Sequence, residues 1–126
     1  MKAALCAIAL CLCFSSKAQT DSNEIGFNHN SSFRLYPTEN IYTFLKLDTR
    51  NGRIWQVQWS TDVNRFESYL NLTPLTTDEE EITGRFMLYP TQNMWTFILL
   101  DQTDGRTWQV QWSTDYESRG ILPISD

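Results

Sequence analysis

The chain has 126 residues, a formal net charge of −5 and hydrophobic residues at 41% of its positions. This length is enough for one modest hydrophobic core and too short for two separate domains. The acidic balance disfavours nucleic acids and anionic membranes as partners.

Residues 1–18 are predicted to be a signal peptide. Lys2 gives a positive start, and Ala3 to Phe14 form an apolar run that is too short to span a bilayer as a helix. Ser16 and Ala18 are the small residues that a signal peptidase reads. We expect this segment to direct export to the periplasm, the cell surface or the medium, with cleavage after Ala18, and we expect no transmembrane segment elsewhere.

The cysteines all lie within this segment, at Cys6, Cys11 and Cys13. The mature chain is therefore expected to have no disulfide, no thiolate metal site and no thiol nucleophile. The single histidine, His29, falls in a polar stretch, residues 19–32, that we expect to be flexible. Without a histidine in the folded part, neither a histidine-based catalytic dyad nor a histidine zinc site is expected. We predict no cofactor and no metal.

A direct repeat dominates the rest of the chain. Residues 33–62 recur without a gap as residues 86–115, 53 positions later, and twenty of the thirty aligned positions are identical. A repeat of this kind predicts one structural unit used twice. We expect a single β domain over residues 33–126, divided into repeat 1 (33–70), an acidic linker (71–83) and repeat 2 (84–124).

Each repeat is predicted to form a meander of antiparallel strands. In repeat 1, residues 33–36 and 41–47 favour strands, and Ile54 to Ser60 alternates between apolar and polar side chains. The turn between the last two strands ends at Gly52, and this glycine and its counterpart Gly105 suit the positive φ angle of a tight hairpin.

A further short strand is predicted at residues 65–70 and 119–124, so we expect an all-β fold of about six to eight antiparallel strands. Both strand faces of each repeat carry apolar residues, and one copy alone cannot bury both. Two copies packed together can do so. The sequence therefore predicts two tandem antiparallel β-meander repeats packed as a small sandwich or a partly closed barrel with pseudo-two-fold symmetry.

The length of the hairpin turn decides which side chains share a face. With a turn of two or four residues, Trp55, Val57 and Trp59 share a face with Tyr42 and Phe44. A three-residue turn pairs them with the other face of the preceding strand, at Thr43, Leu45 and Leu47.

The repeated tryptophans allow two interpretations. Strict alternation along a strand is what a core requires, and we interpret the following positions as core: Trp55, Trp59, Trp108 and Trp112. The alternative is a binding surface for a sugar ring or a partner protein. Tyr42 and Trp95 occupy one repeat position, and the polar tip of Tyr42 predicts a place nearer the surface.

Four aspartates occur at repeated positions: Asp48, Asp101, Asp62 and Asp115. Two related carboxylates that met near a symmetry axis would form an acid/base pair or bind a cation. The simpler interpretation is that each one caps backbone N–H groups of its turn, with Arg53 or Arg106 as a charge partner.

The segment Asp104 to Trp108 resembles the Asp-box hairpin of sialidases and related propellers, but it lacks the residue between Asp and Gly that the pattern contains. More widely, Leu-Asp followed by Gly-Arg-x-Trp resembles hairpins of β-propeller blades and of small uncharacterised secreted bacterial proteins built from such a repeat. Two copies cannot close a propeller, so the comparison is with the second group, and it implies no activity.

We therefore expect an exported, non-enzymatic protein that binds a protein or glycan partner or has a structural role. One alternative is a glycan-binding module that uses exposed aromatic side chains. The alternative from another class is a hydrolase or lyase that uses the repeated aspartates. The sequence leaves the ligand and the oligomeric state open. Ligand binding is predicted at one aromatic position of each repeat and the polar corner before it: Tyr42, Glu39 and Asn40, and Trp95, Gln92 and Asn93.

Overall fold

The computed structural model describes residues 30–125, which form an all-β fold of two four-stranded antiparallel sheets. Sheet 1 contains β1 (Phe33–Pro37), β2 (Thr43–Asp48), β3 (Ile54–Gln58) and β4 (Phe66–Asn71). Sheet 2 contains β5 (Phe86–Pro90), β6 (Thr96–Asp101), β7 (Thr107–Gln111) and β8 (Gly120–Pro123). The strands are paired in chain order, which confirms the predicted all-β class and its two antiparallel sheets.

The predicted signal peptide, residues 1–18, and most of the predicted flexible segment, residues 19–29, lie outside the described residues. The last residues of that segment contact the fold: the carbonyl oxygens of Ser31 and Ser32 both accept hydrogen bonds from Thr49. Within residues 30–125, no helix is long and apolar enough to cross a membrane.

The hairpin between β2 and β3 is closed by a four-residue turn. The backbone N–H of Asp48 donates to the carbonyl oxygen of Arg53 at 2.9 Å, which leaves residues 49–52 as the loop. Gly52 has a φ of +81° and Gly105 a φ of +80°, a region that residues with a Cβ rarely occupy. The predicted role of both glycines is thereby confirmed.

The even-numbered loop sets the side-chain register of the sheet. Phe44 lies opposite Val57, and the backbone N–H of Trp59 donates to the carbonyl oxygen of Tyr42 at 3.0 Å. The same pairing recurs in sheet 2, where the N–H of Trp112 donates to the oxygen of Trp95. The aromatic side chains therefore share a face, as expected for a turn of two or four residues.

We name the two faces of each sheet by the residues of its third strand. The tryptophan face of sheet 1 carries Phe33, Leu35, Tyr42, Phe44, Lys46, Trp55, Val57, Trp59, Glu67 and Tyr69. Its glutamine face carries Tyr36, Thr43, Leu45, Leu47, Ile54 and Gln56. In sheet 2 the tryptophan face carries Phe86, Leu88, Trp95, Phe97, Leu99, Trp108, Val110 and Trp112, and the glutamine face carries Met87, Tyr89, Thr96, Ile98, Leu100 and Gln109.

The two sheets bury opposite faces. One hydrophobic core joins the glutamine face of sheet 1 to the tryptophan face of sheet 2. Leu45 and Ile54 supply it from sheet 1, and Phe86 and Trp112 supply it from sheet 2, all of them fully buried. A two-fold axis between the sheets would bury the same face in both. The packing therefore does not confirm the predicted pseudo-two-fold symmetry: the sheets contribute different faces to the core, an arrangement that we call head to tail.

Hydrogen bonds between the sheets fix this arrangement. The buried amide of Gln56 donates to the carbonyl oxygen of Ser113 at 3.0 Å and accepts from the N–H of Ser113 at 3.3 Å. The hydroxyl of Tyr36 accepts from the backbone N–H of Leu88 at 3.4 Å. Because a buried amide without partners is costly, the Gln56 contact specifies how the two sheets align as well as stabilising them.

Candidate binding surface

The tryptophan face of sheet 1 is solvent-exposed, although its counterpart in sheet 2 is core. Trp59 is 44% exposed and Trp112 is 0% exposed. Leu35 is 55% exposed and Leu88 is 2% exposed. The core interpretation is confirmed for Trp108 and Trp112 but is wrong for Trp59, and Trp55 is only half-buried. Alternation along the strand placed these residues on one face correctly, but among residues 30–125 only the tryptophan face of sheet 2 is covered by other residues.

The exposed aromatic rings form two groups on this face. The ring of Trp55 lies 6.2 Å from that of Phe33 and 6.3 Å from that of Tyr69, measured between centroids. The rings of Tyr42 and Trp59 lie 5.0 Å apart. Their tilted arrangements are among those that aromatic pairs adopt, so the rings of each group stabilise one another.

The Trp59 indole is also fixed by a hydrogen bond. Its Nε1–H donates to the carbonyl oxygen of Ile41 at 2.7 Å, and Trp112 makes the same bond to Met94 at 2.8 Å. The side-chain geometry of the two copies is therefore alike, although one indole faces solvent and the other faces the core. A surface of rigid aromatic side chains loses little conformational entropy when a partner binds.

A charge pair crosses the exposed face. Lys46 Nζ lies 2.6 Å from a carboxylate oxygen of Glu67 and 4.8 Å from the centroid of the Trp55 ring. The corresponding positions of sheet 2 hold Leu99 and Ile121. Substituting a charged pair for two aliphatic side chains keeps an otherwise apolar face compatible with water.

The predicted polar corners meet in one cleft. Glu39 from the first corner and Asn93 from the second line a cleft of about 210 Å³, together with Thr38 and Thr91. Gln92 is exposed beside it. The side chain of Asn40 instead accepts a hydrogen bond from the N–H of Tyr42, as the Asn93 side chain does from Trp95, so both asparagines shape their own turns.

The two predicted aromatic site residues have different surroundings. Tyr42 lies on the exposed tryptophan face of sheet 1, 44% exposed. Trp95 is half-buried and packs against the core, with its ring centroid 4.5 Å from that of Trp112. The structure thus brings Glu39 and Asn93 together, but it does not join Tyr42 and Trp95 into one platform.

Asp101 is buried in a cluster of cations. Arg85 donates to both of its carboxylate oxygens, at 2.8 to 3.1 Å, and Arg106 and the N–H of Thr103 also donate to it. Burial opposes ionisation of this carboxyl, but these hydrogen bonds outweigh it and lower the pKa of Asp101 to about 2. A carboxylate held ionised by two guanidinium groups has no proton to donate near neutral pH.

The other repeated aspartates also make hydrogen bonds within their own turns. Asp48 is buried and is paired with Arg50 rather than with the predicted Arg53. Asp62 accepts from the Ser60 hydroxyl, which lowers its pKa, and Asp115 accepts from the N–H of Glu117 in the short 3-10 helix Tyr116–Ser118. Across residues 30–125 no three carboxylate, histidine or cysteine side chains are grouped as a metal site requires.

Sequence reasoning missed part of the exposed face, namely Phe33, Leu35 and Tyr69. One signal in the sequence could have found them. Lys46 aligns with Leu99, and a lysine beside the tryptophans is incompatible with the buried role that Leu99 has. That single difference between the repeats marks the tryptophan face of sheet 1 as exposed.

No family model, curated protein or solved structure matches the chain. Two surface features are candidate binding sites: the tryptophan face of sheet 1 and the corner cleft. The tryptophan face is the stronger candidate, because its residues are exposed while their repeat counterparts are buried.

Proposed function

We propose that this chain is an exported, non-enzymatic binding protein, built as a two-sheet sandwich, whose working surface is the tryptophan face of sheet 1. The observation that carries the proposal is that this face keeps the aromatic side chains of a core, although none of the residues that the structure describes covers it. Phe33, Leu35 and Trp59 are each between two-fifths and three-fifths exposed, whereas their counterparts are buried.

A partner is expected to bind this face because leaving apolar side chains exposed to water is unfavourable. Each square ångström of apolar surface removed from water contributes about 25 cal/mol, so a partner that covered these rings would gain several kcal/mol. Tryptophan and tyrosine also dominate the binding energy of many protein interfaces. Contiguous exposed apolar surface on a soluble protein is a common mark of an interaction site.

The surroundings of the aspartates support a non-enzymatic role over the hydrolase or lyase alternative. Asp101 and Asp48 are each held by arginine side chains and by the backbone of their own turns. Those contacts explain both carboxylates as turn-stabilising groups.

Site-specific photo-crosslinking tests the proposal in the exported protein. A benzoylphenylalanine at position 35 replaces an exposed side chain of the tryptophan face, and the same group at position 82 replaces Ile82, an equally exposed residue of the connector. We expect a defined covalent adduct from position 35 and none from position 82. Adducts of equal yield from both positions, or from neither, would contradict the proposal.

A glycan ligand is the second candidate, and one observation favours it. The Tyr42 and Trp59 rings form an exposed pair close to the polar corner that contains Glu39. Exposed aromatic rings beside polar groups suit a sugar ring. In a titration with a panel of soluble oligosaccharides, this alternative predicts a change in tryptophan fluorescence that Tyr42→Ala abolishes. The control Tyr89→Ala removes an exposed tyrosine from the opposite outer face and should leave the change intact.

A further inference from the structure

We infer that the partner of the exposed tryptophan face is a second copy of this chain, bound head to tail through the outer glutamine face of its sheet 2. This inference rests on the proposed function, since it names the partner of the same surface. The contact already present between sheets 1 and 2 is its template.

The two outer faces of the molecule are the same pair of faces that meet inside it. Within the chain, the glutamine face of sheet 1 packs on the tryptophan face of sheet 2. What remains outside is the tryptophan face of sheet 1 and the glutamine face of sheet 2, where Tyr89 is exposed and Ile98 is half-covered. Stacking a second chain in the same sense therefore repeats an interface that the sequence already forms once.

The residues that make the hydrogen bonds of the internal interface have repeat counterparts on the outer faces. Gln56 binds the backbone of Ser113 inside the chain. Its repeat counterpart Gln109 is exposed on one outer face, and Ser60, the counterpart of Ser113, lies at the end of the other. An intermolecular stack brings Gln109 of one chain to Ser60 of the next.

A second hydrogen bond of the internal interface also has its counterpart residues on the outer faces. The Tyr36 hydroxyl accepts from the N–H of Leu88 inside the chain. The counterparts of these two residues are Tyr89 and Leu35, and both are exposed on opposite outer faces. The side chains are identical in the two repeats, so the chemistry needed for both contacts is present on the outside of the molecule.

The charge pair makes the outer interface weaker than the inner one. Lys46 and Glu67 stand where the inner interface has Leu99 and Ile121. Covering this pair removes two charges from water, and their mutual attraction offsets only part of that loss. We therefore expect reversible, concentration-dependent association instead of a permanent assembly.

The stacking sense determines the kind of assembly. A contact between two different faces leaves one unused face at each end of a dimer, so growth continues until a ring closes or a filament forms. A contact of the tryptophan face with itself would instead stop at a two-fold dimer. Assembly beyond the dimer thus distinguishes the two.

Two single substitutions test the two outer faces independently. Leu35→Arg places a charge on the tryptophan face of sheet 1, and Gln109→Arg places one on the glutamine face of sheet 2. Both residues are exposed, so neither change should affect folding, which circular dichroism and thermal melting check. In light scattering after gel filtration, the wild type should form species larger than a dimer as its concentration rises, and each variant alone should remain a monomer.

Mixing the two variants gives the sharpest test. Leu35→Arg keeps an intact glutamine face and Gln109→Arg keeps an intact tryptophan face, so an equimolar mixture should form a heterodimer and nothing larger. Failure of the mixture to associate while the wild type assembles would overturn the head-to-tail geometry. Dimerisation of the Gln109→Arg variant by itself would also overturn it in favour of a two-fold contact.

Replacing the charge pair of sheet 1 with the core residues found in sheet 2 should strengthen the assembly. The double substitution Lys46→Leu with Glu67→Ile gives sheet 1 the side chains that sheet 2 has at those positions, and it should lower the dissociation constant at least tenfold. Adding Gln109→Arg to this variant is the control. Association that survived the control would be non-specific and would count against the inference.

The proposed function and this inference can fail separately. A wild type that stays monomeric up to millimolar concentration overturns the inference. If position 35 still gives a crosslinked adduct under those conditions, the mass of the adduct shows another partner and the proposed binding surface remains. If no adduct forms either, both fail.

Discussion

Trp59 and Trp112 stand at the same position of the same repeated segment, Trp-Gln-Val-Gln-Trp, yet one faces solvent and the other is the largest fully buried side chain of the core. Both make the same hydrogen bond through the indole nitrogen. Local structure is therefore common to the two sheets, and what differs is the layer above them. The comparison shows that a repeated strand pattern specifies which residues share a face, but not which face is covered.

Truncation of the two tryptophans should give the largest difference between the sheets. Trp112→Ala should destabilise the protein by about 3–5 kcal/mol, because it leaves a large cavity in the core. Trp59→Ala should cost about 1 kcal/mol, because its ring is already partly in water and little packing is lost. Urea denaturation of both variants measures the two free energies of unfolding. Equal losses would mean that Trp59 is buried after all and would remove the exposed surface.

The turn aspartates should differ in the same direction. Asp101→Asn should cost about 3 kcal/mol, because Arg85 is buried and loses its closest charged partner. Asp48→Asn should cost about 1 kcal/mol, since Arg50 is partly exposed and can turn towards solvent. If Asp48→Asn proved the more damaging, the difference in burial between these two ion pairs would not explain the stability of the turns.

The buried pair also predicts a pH dependence. The pKa of Asp101 is lowered from 3.8 to about 2 in the folded protein, so folding favours the ionised form. Its contribution is present above about pH 4 and is lost as the pH falls from about 4 towards 2. Unfolding experiments across this range should show a smaller decrease in stability for Asp101→Asn than for the wild type. Parallel curves would contradict the assignment.

The hairpin glycines should show a smaller difference in stability between the two sheets. Gly52 and Gly105 share a positive φ angle, but a Cβ on Gly52 would lie 2.8 Å from Leu75 Cδ1, whereas Gly105 has open space. Gly105→Ala should therefore cost about 1 kcal/mol from backbone strain alone. Gly52→Ala adds a steric clash and should cost about 2–3 kcal/mol. Thermal melting of the two variants side by side would refute this account if Gly105→Ala were the less stable.

Much of the fold follows from the sequence because its signals are local. The Trp-Gln-Val-Gln-Trp alternation identifies a strand, Gly52 identifies the turn, and the even-numbered loop places Phe44 opposite Val57. Each of these features depends on residues close together in the chain. The direct repeat then predicts that sheet 2 has the same strands as sheet 1.

The stacking of the sheets could not be predicted in the same way. Both faces of the repeat are apolar, so head-to-tail and two-fold packing both bury hydrophobic side chains. The choice depends on long-range contacts such as Gln56 with Ser113, 57 residues apart. The predicted site residues are therefore only partly brought together. Glu39 and Asn93 meet in a cleft, whereas Trp95, which was expected near the surface, packs against Trp112. In the sequence, the alignment of Lys46 with Leu99 is the clearest indication that the tryptophan faces of the two copies differ in burial.

Hydroxyl-radical footprinting tests the opposite burial of the two sheets most directly. Two pairs of identical side chains at repeated positions provide internal controls: Trp59 with Trp112 on the tryptophan faces, and Tyr36 with Tyr89 on the glutamine faces. In a solution dilute enough to be monomeric, Trp59 should be oxidised faster than Trp112, and Tyr89 faster than Tyr36, so that the faster member lies in sheet 1 for one pair and in sheet 2 for the other. Equal rates within either pair, or the same sheet protected in both, would contradict the head-to-tail stacking on which the binding surface depends.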